Sequence, residues 1–460
     1  MEGEPGYEIV EKSEAMRDLF RFGQSLGIKL NPNVTYPVFF PPGYPGVLAL
    51  EHLEPNDTIL TAPNSSMLHI KLANSEPLKK IYSKYLEDFA EGNGGENNRF
   101  IVYLLSELSK GKSSKWYPYL STLPENIEQL SDWNAQELQE LQDDALMQYS
   151  LGKHSQDMEC NESLKNILQN YPSIIAPEYL DKINWAWRVI CTRAYGRCLP
   201  QLSLIPIADL FNHQNVMTNY FYAKENELDD GVFDLGDDDH DDPMPYKVFT
   251  ISAGKLGKLA VGNKKTDKAG LLMEKAKEED RKIFVKKFKA ALRGRNEVQE
   301  APDCMFKIMC SENGILKGNQ VCIQYGRYSN RQLLFQYGFA MKDNKYDYCI
   351  LRIPVSEVYE DKGIEPPASE EPEYFEFKLK SDRLNSELLS FIRYIVWDYN
   401  TDPVLSFFEV GNLQLDLKVY ERYIFLLENE LKNFATSEEE DLELLTKQIH
   451  YRLFFAVIYK

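Results

Sequence analysis

The feature that most restricts the fold is an interruption. Strand-like runs lie on both sides of a tract, residues 76 to 195, that reads almost wholly as helix. Ahead of it, Val34–Phe40, Val47-Leu-Ala-Leu and Thr58-Ile-Leu-Thr are short apolar runs, punctuated by the turn-rich Pro41-Pro-Gly-Tyr-Pro-Gly46 and by Glu54-Pro-Asn-Asp57. Behind it, Leu202-Ser-Leu-Ile-Pro, Met305-Phe-Lys-Ile-Met, Val321–Gln324 and Tyr348–Val355 read as strands. Strands need partners, so pieces this far apart must meet in one domain. Residues 7–28 form a helix ahead of the first strand, with Val10, Met16, Leu19, Phe20 and Phe22 as its apolar positions and Gly27 as its stop. From Ser386 to the end the pattern is helical again. The expected fold class is α+β: a β-rich domain interrupted by a helical insertion, followed by an all-helical C-terminal domain. Its segments are 1–75, 76–195, 196–355 and 356–460.

The third segment carries a charged insert at about 224–302. Residues 225–242 hold ten acidic side chains, and residues 255–295 hold fourteen Lys or Arg against five Asp or Glu. Blocks of this kind are usually solvated rather than core. Within the basic block, Phe284, Phe288, Ala291 and Leu292 share one helical face, which suits either an acidic partner or a membrane surface, or docking on the chain's own domain. A net charge of -19 argues against a general nucleic-acid binder. Seven cysteines without a Cys-x-x-Cys pair suit a reducing compartment, with neither structural zinc nor a disulfide framework. His240 lies among aspartates with no second histidine nearby, so no metal is expected there. No basic and apolar leader opens the chain, and no run approaches the ~20 apolar residues needed to span a bilayer. A soluble protein of the cytoplasm, the nucleus or both is expected.

Two apolar runs end on residue types that a core does not need. Pro206-Ile-Ala-Asp-Leu-Phe-Asn-His213 closes on an amide and an imidazole. Val321-Cys-Ile-Gln-Tyr325-Gly-Arg-Tyr-Ser-Asn330 is followed by Phe335-Gln-Tyr337-Gly-Phe339. Gly46, just ahead of a strand, lets a backbone approach a ligand closely or simply makes a tight turn. Taken singly, the alternative readings are Asn212 as a turn residue and Tyr325 and Tyr337 as core.

In order along the chain, six pieces resemble the SET-domain methyltransferases of the branch typified by the plant Rubisco large-subunit lysine methyltransferase. They are Gly46-Val-Leu-Ala49, Trp116-Tyr-Pro-Tyr-Leu-Ser-Thr-Leu-Pro124, Arg193-Ala-Tyr-Gly-Arg197, Pro206–His213, Gly318-Asn-Gln-Val-Cys-Ile-Gln-Tyr325, and Ser329-Asn330 through Tyr337-Gly-Phe339. Phe434-Ala-Thr-Ser-Glu-Glu-Glu-Asp441 resembles part of that branch's helical substrate-binding domain. Two departures stand out. Gly43-Tyr-Pro-Gly46 is spaced differently from the branch's glycine pair, and the charged insert is longer than the branch usually carries.

The resemblance implies methyl transfer from S-adenosyl-L-methionine to a protein lysine, without metal. It implies that Asn212, His213, Tyr325 and the backbone of Gly46, Val47 and Leu48 hold the cofactor, with Arg193 on its carboxylate. Tyr325 and Tyr337 would be the catalytic-site tyrosines, Tyr337 lining the lysine channel, and Arg197 and Asp209 would lie near the substrate amine. The chemistry gives these residue types a reason. Free lysine has a pKa of about 10.4, and a tyrosine-walled channel desolvates the ammonium and aligns it for displacement. Within the same fold two alternatives remain: a protein histidine methyltransferase, from which Tyr337 points away, and an inactive binding module, which would be expected to lose Asn212, His213 or Tyr325. Expected partners are a non-histone protein such as a ribosomal protein or an elongation factor, with no membrane and no direct nucleic-acid contact, the chain acting as a monomer.

Overall fold

The computed structural model describes residues 7–40, 43–90, 95–196, 199–216, 219–224, 304–311, 313–354, 356–358, 374–397, 413–447 and 450–460. The charged insert and Arg197 lie outside the described residues. The described residues divide into two compact units, one within Met1–Leu138, Asp144–Asp239 and Glu297–Lys345, the other within Gln139–Asp143 and Tyr346–Lys460.

The first unit is built on two sheets. One has the order β1 (Glu8–Ile9), β3 (Val34–Phe40), β4 (Tyr44–Ala49), β11 (Gln320–Ile323) and β8 (Asn212–His213); the other has β2 (Lys29–Leu30), β5 (Thr58–Pro63), β10 (Cys304–Met309) and β9 (Asn219–Lys224). A short pair, β6 (Leu68–His69) with β7 (Ser203–Leu204), adds a third ladder. The strands before the helical tract therefore pair with strands after it, as the interrupted pattern requires. β11 is the hinge of this arrangement. Val321, Cys322 and Ile323 are all buried, a continuous apolar run with sheet on either side. It runs antiparallel to β4, with Gln320 opposite Leu48 and Val321 opposite Val47. It runs parallel to β8, with Cys322 opposite Asn212 and Ile323 opposite His213.

Helices of the interrupting tract supply much of the same core. Gly95–Ser109 buries Phe100 through Leu105, and Ile183–Arg193 buries Ile183, Ala186, Val189 and Ile190. At the start of the chain the helix is shorter than its apolar pattern suggests, Glu14–Ser25, because Ser13 caps it by accepting from Met16 N while Glu8 and Ile9 pair with β3 instead. β9 and the helix Asn330–Tyr337 are further elements that apolar periodicity leaves unread.

The second unit corrects the expectation of an all-helical C-terminal domain. It contains a two-stranded antiparallel ladder, β12 (Cys349–Pro354) with β13 (Tyr374–Leu379). The strand read at 348–355 thus pairs within this unit rather than with the first. Phe375 and Leu379 of β13 are buried with Leu351 and Ile353 of β12 against Leu388, Phe391 and Ile392 of the helix Ser386–Val396. The missed strand spans only six positions, of which Phe375 and Leu379 alone are buried, and the proline-rich stretch before it resembles a linker. Helices Leu413–Leu431, Glu438–Leu445 and Tyr451–Tyr459 complete the unit. Arg393 and Asp416 form a buried ion pair between the first two of its helices.

Candidate active site

The parallel β8–β11 pairing decides where the polar ends of the two apolar runs go. Tyr325 N donates to His213 Nδ1 at 3.0 Å, across 112 positions of sequence, and Tyr325 Oη donates to Phe211 O at 2.9 Å. The His213 and Tyr325 rings lie 5.1 Å apart. Burial lowers the His213 pKa to about 4, so the ring is neutral near pH 7 and its Nδ1 is the acceptor. The proton is then on Nε2, which is buried and has no partner among the described residues.

The two glycines near the start of β4 separate into two uses. Gly43 has φ +122 and makes the turn into the strand. Gly46 lies beneath two amides: a Cβ there would come within 2.1 Å of Gln320 Nε2 and 3.0 Å of Asn212 Nδ2. Asn212 Nδ2 donates to Pro45 O at 2.9 Å, which draws β8 over the start of β4. Val47 and Leu48 follow in β4, their side chains buried.

Beside this crossing lies a narrow cavity of about 90 Å³, lined by Tyr195, Tyr220, Tyr325, Tyr328 and Tyr337 with Phe211, Arg193 and Asp209. Tyr337 ends the helix Asn330–Tyr337, and its ring centroid is 5.1 Å from that of Tyr325 and 6.0 Å from that of Tyr328. The next residue explains the Tyr-Gly pair. Gly338 caps the helix at φ +78, and a Cβ on it would lie 2.6 Å from Glu128 O. Burial raises the pKa of both Tyr325 and Tyr337, so both remain neutral phenols.

Charge enters the cavity from Arg193 and Asp209. Arg193, the last residue of its helix, donates Nη1 to Asp209 O at 2.9 Å and meets Asp209 Oδ2 at 3.3 Å. Tyr119 Oη donates to the same Oδ2 at 2.9 Å. Burial raises the Asp209 pKa, against the lowering effect of Arg193 and Tyr119. Just before Asp209, Ile207 sits at φ +71, a left-handed backbone that is costly for a β-branched residue.

The structure therefore brings Arg193, Asp209, Tyr325 and Tyr337 around one cavity, with Asn212, His213 and Gly46 adjoining it. Arg197 lies outside the described residues. Sequence reasoning left Tyr119, Tyr220 and Tyr328 without roles, and Tyr328 carried the nearest signal, three residues beyond Tyr325. Among the described residues no group of His, Cys, Asp and Glu is placed to hold a metal, and no helix is long and apolar enough to cross a membrane.

A solved structure of the SET domain of the Rubisco methyltransferase bound to lysine and AdoHcy superposes with a TM-score of 0.58 at 18% identity, covering 98% of this chain and 88% of that one. This chain has the fold of that SET domain. A second structure, of the Rubisco methyltransferase bound to AdoMet, gives a TM-score of 0.55 at 18% identity, covering 97% of this chain and 88% of that one. Sequence similarity agrees with the SET assignment. The Rubisco large-subunit N-methyltransferase of Pisum sativum is 28% identical over 193 residues, 41% of this chain and 37% of that protein. The fructose-bisphosphate aldolase-lysine N-methyltransferase of Arabidopsis thaliana, named like the pea protein as chloroplastic, is 26% identical over 220 residues, 47% and 43% respectively. The chain thus matches less than half the length of these two relatives. The Arabidopsis protein SET DOMAIN GROUP 40 is 24% identical over 319 residues, 68% of this chain and 53% of its own length. No family model matches the sequence.

Proposed function

We propose that this chain is a protein-lysine N-methyltransferase that uses S-adenosyl-L-methionine. The observation that carries the reading is the tyrosine-walled cavity of about 90 Å³, set directly against the β8–β11 crossing. It is supported by two relatives named as lysine N-methyltransferases and by similar folds solved with AdoMet, AdoHcy and lysine.

The residues present fit that cofactor. His213 offers a buried, unpartnered ring nitrogen, and Gly46 leaves bare backbone under the Asn212 amide. Asn212, His213 and the backbone of Gly46, Val47 and Leu48 would hold it, with Arg193 available to its carboxylate. When bound, it supplies an electrophilic methyl group on a positively charged sulfur.

The remaining work falls to the chain itself. Five phenol rings exclude water from an entering alkylammonium, which favours loss of its proton. Tyr325 spends its own proton on Phe211 O, so its oxygen lone pairs stay available to a partly positive group in the cavity. Asp209, with Oδ1 buried and unpartnered among the described residues, supplies the negative charge that draws the ammonium in; Tyr337 walls the channel. The protein substrate we propose is non-histone, of the ribosomal-protein, elongation-factor or enzyme class. Two relatives are named for methylating enzymes, Rubisco and aldolase.

The test begins with calorimetric binding of S-adenosylmethionine to the purified protein. Labelled cofactor and lysate follow, with mass spectrometry of the labelled residue. Tyr325→Phe should lower methyl transfer by about 10²–10³-fold while cofactor affinity stays near wild type. Label on histidine, or unchanged turnover in Tyr325→Phe, would sink the reading.

A further inference from the structure

The helical insertion reaches the cavity through one side chain. Tyr119 lies in the short helix Tyr117–Leu120, is 1% exposed, and donates its phenol proton to Asp209 Oδ2. Trp116, which caps that helix, packs edge-on against Phe22 with ring centroids 5.9 Å apart. Asp209 is a 2% exposed carboxylate that shares the same Oδ2 between Tyr119 and Arg193. Both partners therefore crowd one oxygen and leave Oδ1 buried, in a side chain that lines the cavity, with no partner among the described residues. Such an orphaned oxygen is costly unless a donor arrives to fill it.

We infer that Tyr119 is a positioning residue: it holds the Asp209 carboxylate so that Oδ1 receives the alkylammonium of the substrate. The inference rests on the lysine-methyltransferase reading. Two donors on Oδ2 fix the carboxylate plane, which free rotation about the side chain would otherwise leave undetermined. The phenol also favours the ionised carboxylate, opposing burial, as does Arg193. The groups facing Asp209 are Tyr119 from the insertion, Arg193 from the helix Ile183–Arg193, Tyr325 after β11 and Tyr36 of β3. Of these, Tyr119 and Arg193 are the hydrogen-bond donors to the carboxylate.

The experiment uses the full chain and n-butylamine, an alkylammonium of lysine side-chain length, titrated calorimetrically from pH 5 to 9. The proteins are wild type, Tyr119→Phe, Asp209→Asn and the double variant. Phenylalanine keeps the buried ring, and a thermal melt checks that the fold persists. Losing the phenol makes Asp209 harder to ionise, so the loss of amine binding on acidification should begin at higher pH in Tyr119→Phe. Binding should be weaker than wild type throughout, by a few-fold at pH 9, where only the fixed carboxylate plane is lost, and by about tenfold at the acid end. Adding Tyr119→Phe to Asp209→Asn should change nothing further. Binding equal to wild type at every pH, or further weakening in the double variant, would overturn the inference. Failure of wild type to bind the amine at any pH would overturn it as well. S-adenosylmethionine binding is measured on the same samples: if it persists while the amine experiment fails, only this inference falls, and if it is absent in wild type, the enzymatic reading falls too.

Discussion

At the scale of single residues, His213 is held in two ways that a surface histidine would not be. Its Nδ1 accepts from the Tyr325 backbone, and its ring is kept neutral by burial. Its pKa is about 4 in the fold against an ordinary 6.5, so the unfolded chain takes up the proton first as pH falls. The stabilisation is fully present above pH 6.5 and is lost as pH falls through about 4, an effect of about 3 kcal/mol at most. Urea melts of wild type and His213→Gln at a series of pH values should show the wild-type advantage shrinking steadily below pH 6.5. A constant difference would place the imidazole in solvent. Much at this scale is legible in sequence. Asn212, His213, Tyr325 and Tyr337 are legible as an ordered set along the chain, since singly Asn212 also reads as a turn residue and the two tyrosines as core. Tyr119 is illegible for the opposite reason: it looks like one more aromatic in a helical stripe, and only its buried partner, 90 positions away, gives it a role.

Among the elements, the helix Asn330–Tyr337 shows how a short sequence signature becomes geometry. Ser329 accepts from Gln332 N and the Gln332 side chain accepts from Ser329 N, a reciprocal cap that starts the helix, and Gly338 ends it one residue after Tyr337. The start and stop signals are both present in the sequence, yet eight residues with little apolar periodicity do not read as helix. Gly338→Ala would force a side chain into left-handed backbone and against Glu128 O. We expect it to destabilise the protein by about 2–4 kcal/mol in chemical denaturation, and to reduce cofactor-dependent methyl transfer more than cofactor binding. Stability within a few tenths of wild type would mean that the Glu128 carbonyl is free to move aside. β8 and β13 escaped sequence reading in different ways. Two residues are too few to show a period, and β13 follows a proline-rich stretch that suggests a loop.

Across the whole molecule, the two units have separate cores, and the second depends on an ion pair as well as on apolar packing. Arg393 and Asp416 are both more than nine-tenths buried. Removing one partner strands the other charge, so Arg393→Met should lower the stability of the second unit by about 3–5 kcal/mol, read by calorimetry. Replacing both partners with apolar residues should recover most of that loss. The interruption of the first unit's strands by a helical tract is legible because it rests on long segments. The pairing of β12 with β13 is not, since which strands meet depends on partners that sequence spacing does not reveal.

The order of strands in the first unit has a consequence for synthesis on the ribosome. β4 takes one of its neighbours, β11, from more than 270 positions later, and β5 waits for β10 over a similar span. Until Gln320–Ile323 has left the exit tunnel, the growing chain carries an open β4 edge, with Val47 and Leu48 lacking that cover. A chain stalled within the charged insert would therefore be open to strand exchange with another nascent copy.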